Sequence, residues 1–124
     1  MPPRNLPMPE RQIYFSNIWA MVRLVPQGKV TTYGQLAALV DPPEGISEQD
    51  YRTYGARWVG QAMRECPAGV PWQRVINSQG KISLPGASGA QQRLLLEEEG
   101  LVFNPNGKID FKIFGWDGPH SAPD

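Results

Sequence analysis

At 124 residues, with 40% hydrophobic and 19% charged side chains, the chain suits one globular domain with a modest core and excludes a disordered segment. Twelve basic and twelve acidic residues give a formal net charge of zero, which argues against an indiscriminate polyanion binder. One cysteine (Cys66) and one histidine (His120) rule out an intramolecular disulfide and leave too few ligands for a zinc site.

Residues 1–9 carry four prolines and are expected to form a tail. Glu10 to Val25 places Ile13, Tyr14, Ile18, Met21, Val22 and Val25 at spacings of three and four, which predicts an amphipathic helix. Pro26-Gln27-Gly28 ends it, and Val30 is a short extended link. Thr31 or Thr32 caps a second helix, Tyr33 to Val40, with Leu36, Ala37 and Val40 buried. Asp41 to Gly45 is a break, and Ser47 to Tyr54 is polar, a loop or a short turn of helix. Gly55 precedes a third helix, Ala56 to Cys66. Short extended pieces are expected at Arg74–Ile76 and Lys81–Leu84, with a turn at Asn77–Gly80 between them. Pro85 to Gly89 reads as a loop, and Ser88 or Gly89 opens a helix from Ala90 to Glu99, closed by Gly100. Asn104-Pro105-Asn106-Gly107 lies between Val102-Phe103 and Ile109-Phe111-Ile113, a hairpin signal. Residues 10–116 are expected to be the domain and 117–124 a second tail.

Helices followed by a small hairpin suggest a mainly α fold, a winged helix-turn-helix-like domain with a small C-terminal β-hairpin. Tyr33–Val40 and Ala56–Cys66 would be the helix pair, the second being the recognition helix. The charge is unevenly placed: from Arg57 to Lys81 there are four basic residues and one acid, whereas Glu97-Glu98-Glu99 and Asp41 to Asp50 are acidic. No apolar run reaches membrane-spanning length, and the first dozen residues lack the apolar stretch of a signal peptide. A soluble cytoplasmic protein is expected, at the nucleoid of a bacterium or in the nucleus of a eukaryote.

Four segments resemble, in order, the C-terminal domain of the O6-alkylguanine-DNA alkyltransferases. They are Gly28-Lys29-Val30-Thr31-Thr32-Tyr33-Gly34, Ala56-Arg57-Trp58-Val59-Gly60-Gln61-Ala62-Met63, Pro71 to Ile76, and Leu94 to Gly100. The third reads P-W-Q-R-V where those enzymes read P-C-H-R-V. Trp72 stands at the alkyl-accepting cysteine and Gln73 at the histidine. An indole N–H only donates, and glutamine has no pKa near neutrality, so both chemical partners are missing. This pattern is similar to the alkyltransferase-like subfamily, in which tryptophan replaces the cysteine.

The resemblance implies a non-enzymatic reader of O6-alkylguanine in duplex DNA, with no catalytic residue, cofactor or metal. Its DNA-binding and base-flipping residues would be Thr32, Tyr33, Gln35, Arg57, Gly60, Gln61, Ala62 and Met63. Arg57 would enter the space left by the extruded base. Tyr33 would press on the phosphate 3′ of the target. Gly60, Ala62 and Met63 would form a slim face for the minor groove. The lesion pocket would comprise Trp72, Gln73, Arg74, Val75, Pro85, Gly86, Ala87, Ser88 and Glu99. Arg74 would stack on the base or anchor to a carboxylate, and Glu99 would support residue 73. Pro85 stands where many of the enzymes carry a tyrosine, which would widen the pocket; backbone N–H groups of Gly86 to Ser88 would donate to O6. The implied partners are alkylated duplex DNA and nucleotide excision repair proteins, with the chain a monomer.

Two features depart from the pattern. The subfamily often keeps the histidine that is Gln73 here, and the link from Tyr33 to Arg57 is about ten residues longer than short family loops, the extra length lying roughly at Pro42–Tyr54. The competing readings are residual alkyl transfer through another group, such as Cys66, and a winged-helix regulator of a specific undamaged sequence. A lone cysteine is more often a packing residue than a nucleophile, and His120 falls in the expected tail.

Overall fold

The computed structural model describes Leu6 and residues 10–119, so His120 and most of both expected tails lie outside the described residues. The elements in chain order are α1 (Glu10–Val22), β1 (Thr31–Thr32), α2 (Tyr33–Leu39), α3 (Glu48–Arg64), a 3-10 turn (Trp72–Arg74), β2 (Val75–Ile76), α4 (Gly86–Glu98) and α5 (Phe111–Phe114). The fold is mainly helical, with one two-stranded parallel sheet pairing Thr31 with Val75 and Thr32 with Ile76.

The larger core lies among α1, α2 and α3. Tyr14, Phe15, Ile18 and Val22 face inward from α1, whereas Ile13 is 60% exposed. The helix stops at Val22 rather than Val25, but Val25 remains buried beyond it. Trp58 is fully buried at the centre, stacked on Tyr54 at 5.9 Å and flanked by Tyr51 at 6.3 Å. Leu6 is also buried here, so the N-terminal segment is not wholly a free tail. The smaller core holds Val30, Ile76, Leu96, Leu101 and Ile109.

The largest correction concerns α3. It begins at Glu48, about two turns before the expected Ala56. Ser47 Oγ accepts from the Asp50 amide at 3.1 Å, and Glu48 and Asp50 complement the positive end of the helix dipole. Gly55 is therefore no boundary. It sits inside the helix, where a Cβ would lie 3.2 Å from the Tyr51 ring and 3.3 Å from the Ala37 Cβ, so its lack of a side chain lets α3 press against α2. Tyr51, on the added turns, donates to the Ala37 carbonyl at 2.7 Å and accepts from Tyr14 at 2.8 Å. Much of the long Tyr33–Arg57 link is thus a packed helical extension. Ser47→Ala is expected to cost about 1 kcal/mol, read as a lower urea midpoint at unchanged slope. No change would show that the added turns do not depend on this cap.

The C-terminal hairpin is reduced to a single antiparallel bridge, Phe103 to Ile109, closed by Asn104 N–H to the Lys108 carbonyl at 2.8 Å. The ladder ends because the Ile109 amide donates to the Gly80 carbonyl at 2.9 Å, and Asp110 then caps α5 through the Lys112 amide. Phe111 to Phe114, expected as strand, is a helical turn. The chain next runs beside Val30, which donates to the Phe114 carbonyl at 2.9 Å and accepts from the Trp116 amide at 2.8 Å. Lys81–Leu84 joins no strand. The last long helix starts at Gly86, not Ala90, so Gly86, Ala87 and Ser88 form its first turn rather than a loop. Gly100 follows its end at φ +97°, the left-handed conformation that favours glycine.

Candidate nucleic-acid interface and lesion cleft

A cleft of about 780 Å³ opens between α3, the 3-10 turn, the segment 83–85 and α4. Eight expected site residues line it: Tyr33, Arg57, Gly60, Met63, Trp72, Val75, Pro85 and Ser88. Tyr33 is placed by the start of α2, where Thr32 Oγ1 accepts from the Gln35 amide at 3.0 Å. Arg57, Gly60 and Met63 follow the helical spacing of three along one face of α3. Gly60 has open space around the position a Cβ would take, so its small size leaves room on that face. Arg57 is exposed, with its guanidinium 6.0 Å from the Tyr54 ring centroid. Arg57 and Arg64 are the charged residues lining the cleft, and no carboxylate lines it among the described residues. A positive, largely apolar concavity therefore exists on a chain of zero net charge.

The remaining expected residues lie elsewhere. Ala62 is fully buried, and its carbonyl accepts from the Trp19 indole at 2.8 Å, so it packs inward and offers no surface to a groove. Gln35 is an internal brace: its Oε1 accepts from Thr31 Oγ1 at 2.6 Å and its Nε2 donates to the Trp116 carbonyl at 2.8 Å. Gln61 is half-buried and does not line the cleft. Gly86 and Ala87 are exposed at the first turn of α4.

Gln73, Arg74 and Glu99 form a layer behind the cleft rather than its wall. Glu99 accepts from Gln73 Nε2 at 2.7 Å, from Arg74 Nε at 3.0 Å and from the Gly28 amide at 3.1 Å. Arg74 Nη1 also donates to the Val25 carbonyl at 2.9 Å. Arg74 is thus anchored to a carboxylate, one of the two roles expected of it. Burial pushes the Glu99 carboxyl up, but the hydrogen bonds from Arg74, Gln73 and Gly28 together outweigh it and hold the pKa below the usual carboxylate value. These bonds tie the end of α4 to the turn that carries Trp72.

Sequence reasoning missed Ala56, Arg64, Ser83, Leu84, Gln91 and Gln92, which complete the lining. A signal for Gln92 was present: Gln92, Leu96 and Glu99 share one helical face at spacings of four and three, and all three point inward. Cys66 does not line the cleft, and burial pushes its thiol pKa up against the opposing effect of Arg23. That leaves less thiolate, the reactive form.

The sequence pattern described as the 6-O-methylguanine DNA methyltransferase DNA-binding domain matches residues 14–101. A DNA base-flipping protein of Vibrio parahaemolyticus is 40% identical over 105 residues, covering 83% of this chain and 95% of that one. Alkyltransferase-like protein 1 of Schizosaccharomyces pombe is 38% identical over 104 residues, covering 81% and 87%. The crystal structure of S. pombe Atl1 in complex with damaged DNA containing O6-carboxymethylguanine superposes with a TM-score of 0.67 at 34% identity, covering 86% of this chain and 96% of that one. The chain belongs to the alkyltransferase-like family, built on the DNA-binding domain of the methyltransferases. Among the described residues no helix is long and apolar enough to cross a membrane.

Proposed function

We propose that this protein is a non-enzymatic reader of O6-alkylguanine in duplex DNA. α2 and α3 act as the helix pair of a winged helix-turn-helix-like domain, with α3 in the minor groove. Tyr33 and Arg57 extrude the lesion, and the cleft bearing Trp72 holds it. The observation that carries this reading is Trp72 itself: an indole lines the cleft at the position of the acceptor cysteine, with Tyr33 and Arg57 on the same cleft. The aromatic face suits a flipped purine and its alkyl group. Pro85 leaves the rim open to larger adducts, and the amide of Ser88, the first-turn residue of α4 that lines the cleft, is the proposed donor to O6.

Residual alkyl transfer is disfavoured by the position of Cys66 outside the cleft and by its raised thiol pKa. A lesion held and not repaired needs a second activity, and nucleotide excision repair proteins are the proposed recipients. A reader of a single base needs no symmetry, so a monomer is proposed.

The test is a titration into two labelled duplexes that differ only by one O6-methylguanine, at fixed salt, with mass spectrometry of the same protein. Tighter binding to the lesion with no mass gain is the expected result. Equal binding to both duplexes overturns the reading in favour of a sequence-specific regulator, and a methyl mass gain overturns its non-enzymatic part.

A further inference from the structure

Gln92 is the buried polar residue of the cleft wall. It is 2% exposed, whereas the serines, arginines and Gln91 that share the lining are exposed. Its Nε2 donates to the Gln73 carbonyl at 3.1 Å and to the Val75 carbonyl at 2.9 Å. Both amide hydrogens are then used. The two carbonyls also decide which way the amide faces, because the flipped rotamer would set Oε1 against two other acceptors. Oε1 is therefore turned away from the chain on either side of Arg74, and among the described residues no protein group donates to it.

This leaves a fixed acceptor at a cleft whose other walls include Trp72, Val75, Leu84 and Pro85. Water can serve it while the cleft is open. A base that fills the cleft displaces that water, and an acceptor left unmet in an apolar site is costly. The chemistry of the lesion limits the partner. Alkylation at O6 removes the N1 proton of guanine, so the 2-amino group is the remaining N–H donor on the base. O4-alkylthymine and O6-alkylhypoxanthine have no N–H donor at all.

We propose that Gln92 Oε1 accepts a hydrogen bond from the 2-amino group of the flipped O6-alkylguanine, which makes Gln92 a specificity-determining residue of the cleft. The proposal rests on the lesion-reader function above. Gln92 is preorganised for it, because the same amide that would read the base is tied to both ends of the segment following Trp72, so acceptor and indole are held in one frame.

The experiment compares O6-methylguanine with O6-methylhypoxanthine, each placed opposite an abasic site so that base pairing does not differ. Loss of the amino group is expected to weaken binding to the wild-type chain about tenfold. In Gln92→Met, which keeps the side-chain length and leaves only a weakly accepting thioether in place of the amide, the ratio between the two lesions is expected to fall to near one. Equal affinities in the wild type, or an unchanged ratio in the variant, overturn the proposal. If thermal melting shows the variant unfolded, Gln92→Leu is measured in its place, and equal affinities of the wild type for the two lesions overturn the proposal in either case. A guanine duplex separates the two levels of inference. Lesion preference without dependence on the amino group removes only the role of Gln92, whereas no preference over guanine removes the reader function and this proposal with it.

Discussion

Glu99→Ala is expected to destabilise the fold by about 3 kcal/mol or more, the scale for removing one partner of a buried ion pair. Three donors converge on this carboxylate, and the side chains of Arg74 and Glu99 are only 17% and 9% exposed. Without Glu99 the guanidinium keeps the Val25 carbonyl but loses its counter-charge. Urea titration of both proteins measures the effect. A loss below about 1 kcal/mol, the value of an ordinary surface pair, would sink the claim that this layer holds the site together. Acid dependence gives an independent reading. At neutral pH the carboxyl is ionised in both folded and unfolded chains, and its stabilisation is complete. As pH falls below the unfolded value of about 4.3, the unfolded chain takes up the proton first. Stability is then lost progressively until the folded carboxyl, held lower, also titrates. Glu99→Gln should be less stable at pH 7 and should flatten this acid limb. Because the layer anchors the turn carrying Trp72, lesion affinity should fall with it.

Arg57→Ala is expected to lower affinity for an O6-methylguanine duplex by about tenfold to a hundredfold, since the energy of unstacking a base is a few kcal/mol and the guanidinium offsets part of it. Undamaged DNA, from which no base is extruded, should lose much less. Arg57→Lys separates the two ways the residue can act. A phosphate contact is restored by any cation, and its removal lowers the salt slope by roughly one. A guanidinium filling the vacated stack is planar and is not replaced by an ammonium. Failure of lysine to rescue, with fluorescence of a reporter base beside the lesion showing no extrusion, is the expected outcome. Full rescue by lysine would reassign Arg57 to the phosphate backbone. The exposed position of Arg57 on α3, away from the Trp58 core, means that either substitution should leave the melting temperature nearly unchanged.

Local chemistry was legible where one short segment decides the outcome. The Thr32 cap, the Gly100 stop and the inward face of α1 are consequences of side chains within a turn or two of each other. The same holds for the missing chemistry: no fold can make Trp72 a thiolate or Gln73 a base near neutrality. The family resemblance also drew Tyr33, Arg57 and Trp72 into one functional set, and the three do line one cleft.

What only the tertiary structure decided are the features set by partners far away in the chain. Gly55 reads as a helix boundary by propensity, yet contact with Ala37 and Tyr51 makes it a close-packing site inside α3. The Asn-Gly hairpin signal is sound locally, but Gly80 captures the Ile109 amide and turns the second strand aside. Gln73, Arg74 and Glu99 were assigned to the pocket by their motif, and their mutual hydrogen bonds place them behind it. Gln92 carried no motif at all. Its importance depends on two carbonyls 17 and 19 residues earlier, whose positions follow from the 3-10 turn and the parallel pairing of Val75 with Thr31. Sequence by itself determined that Trp72 cannot serve as a thiolate or Gln73 as a base, because that is a property of side chains; which polar groups face the cleft was decided by long-range packing, because a buried hydrogen bond needs its partner in place before it has a direction.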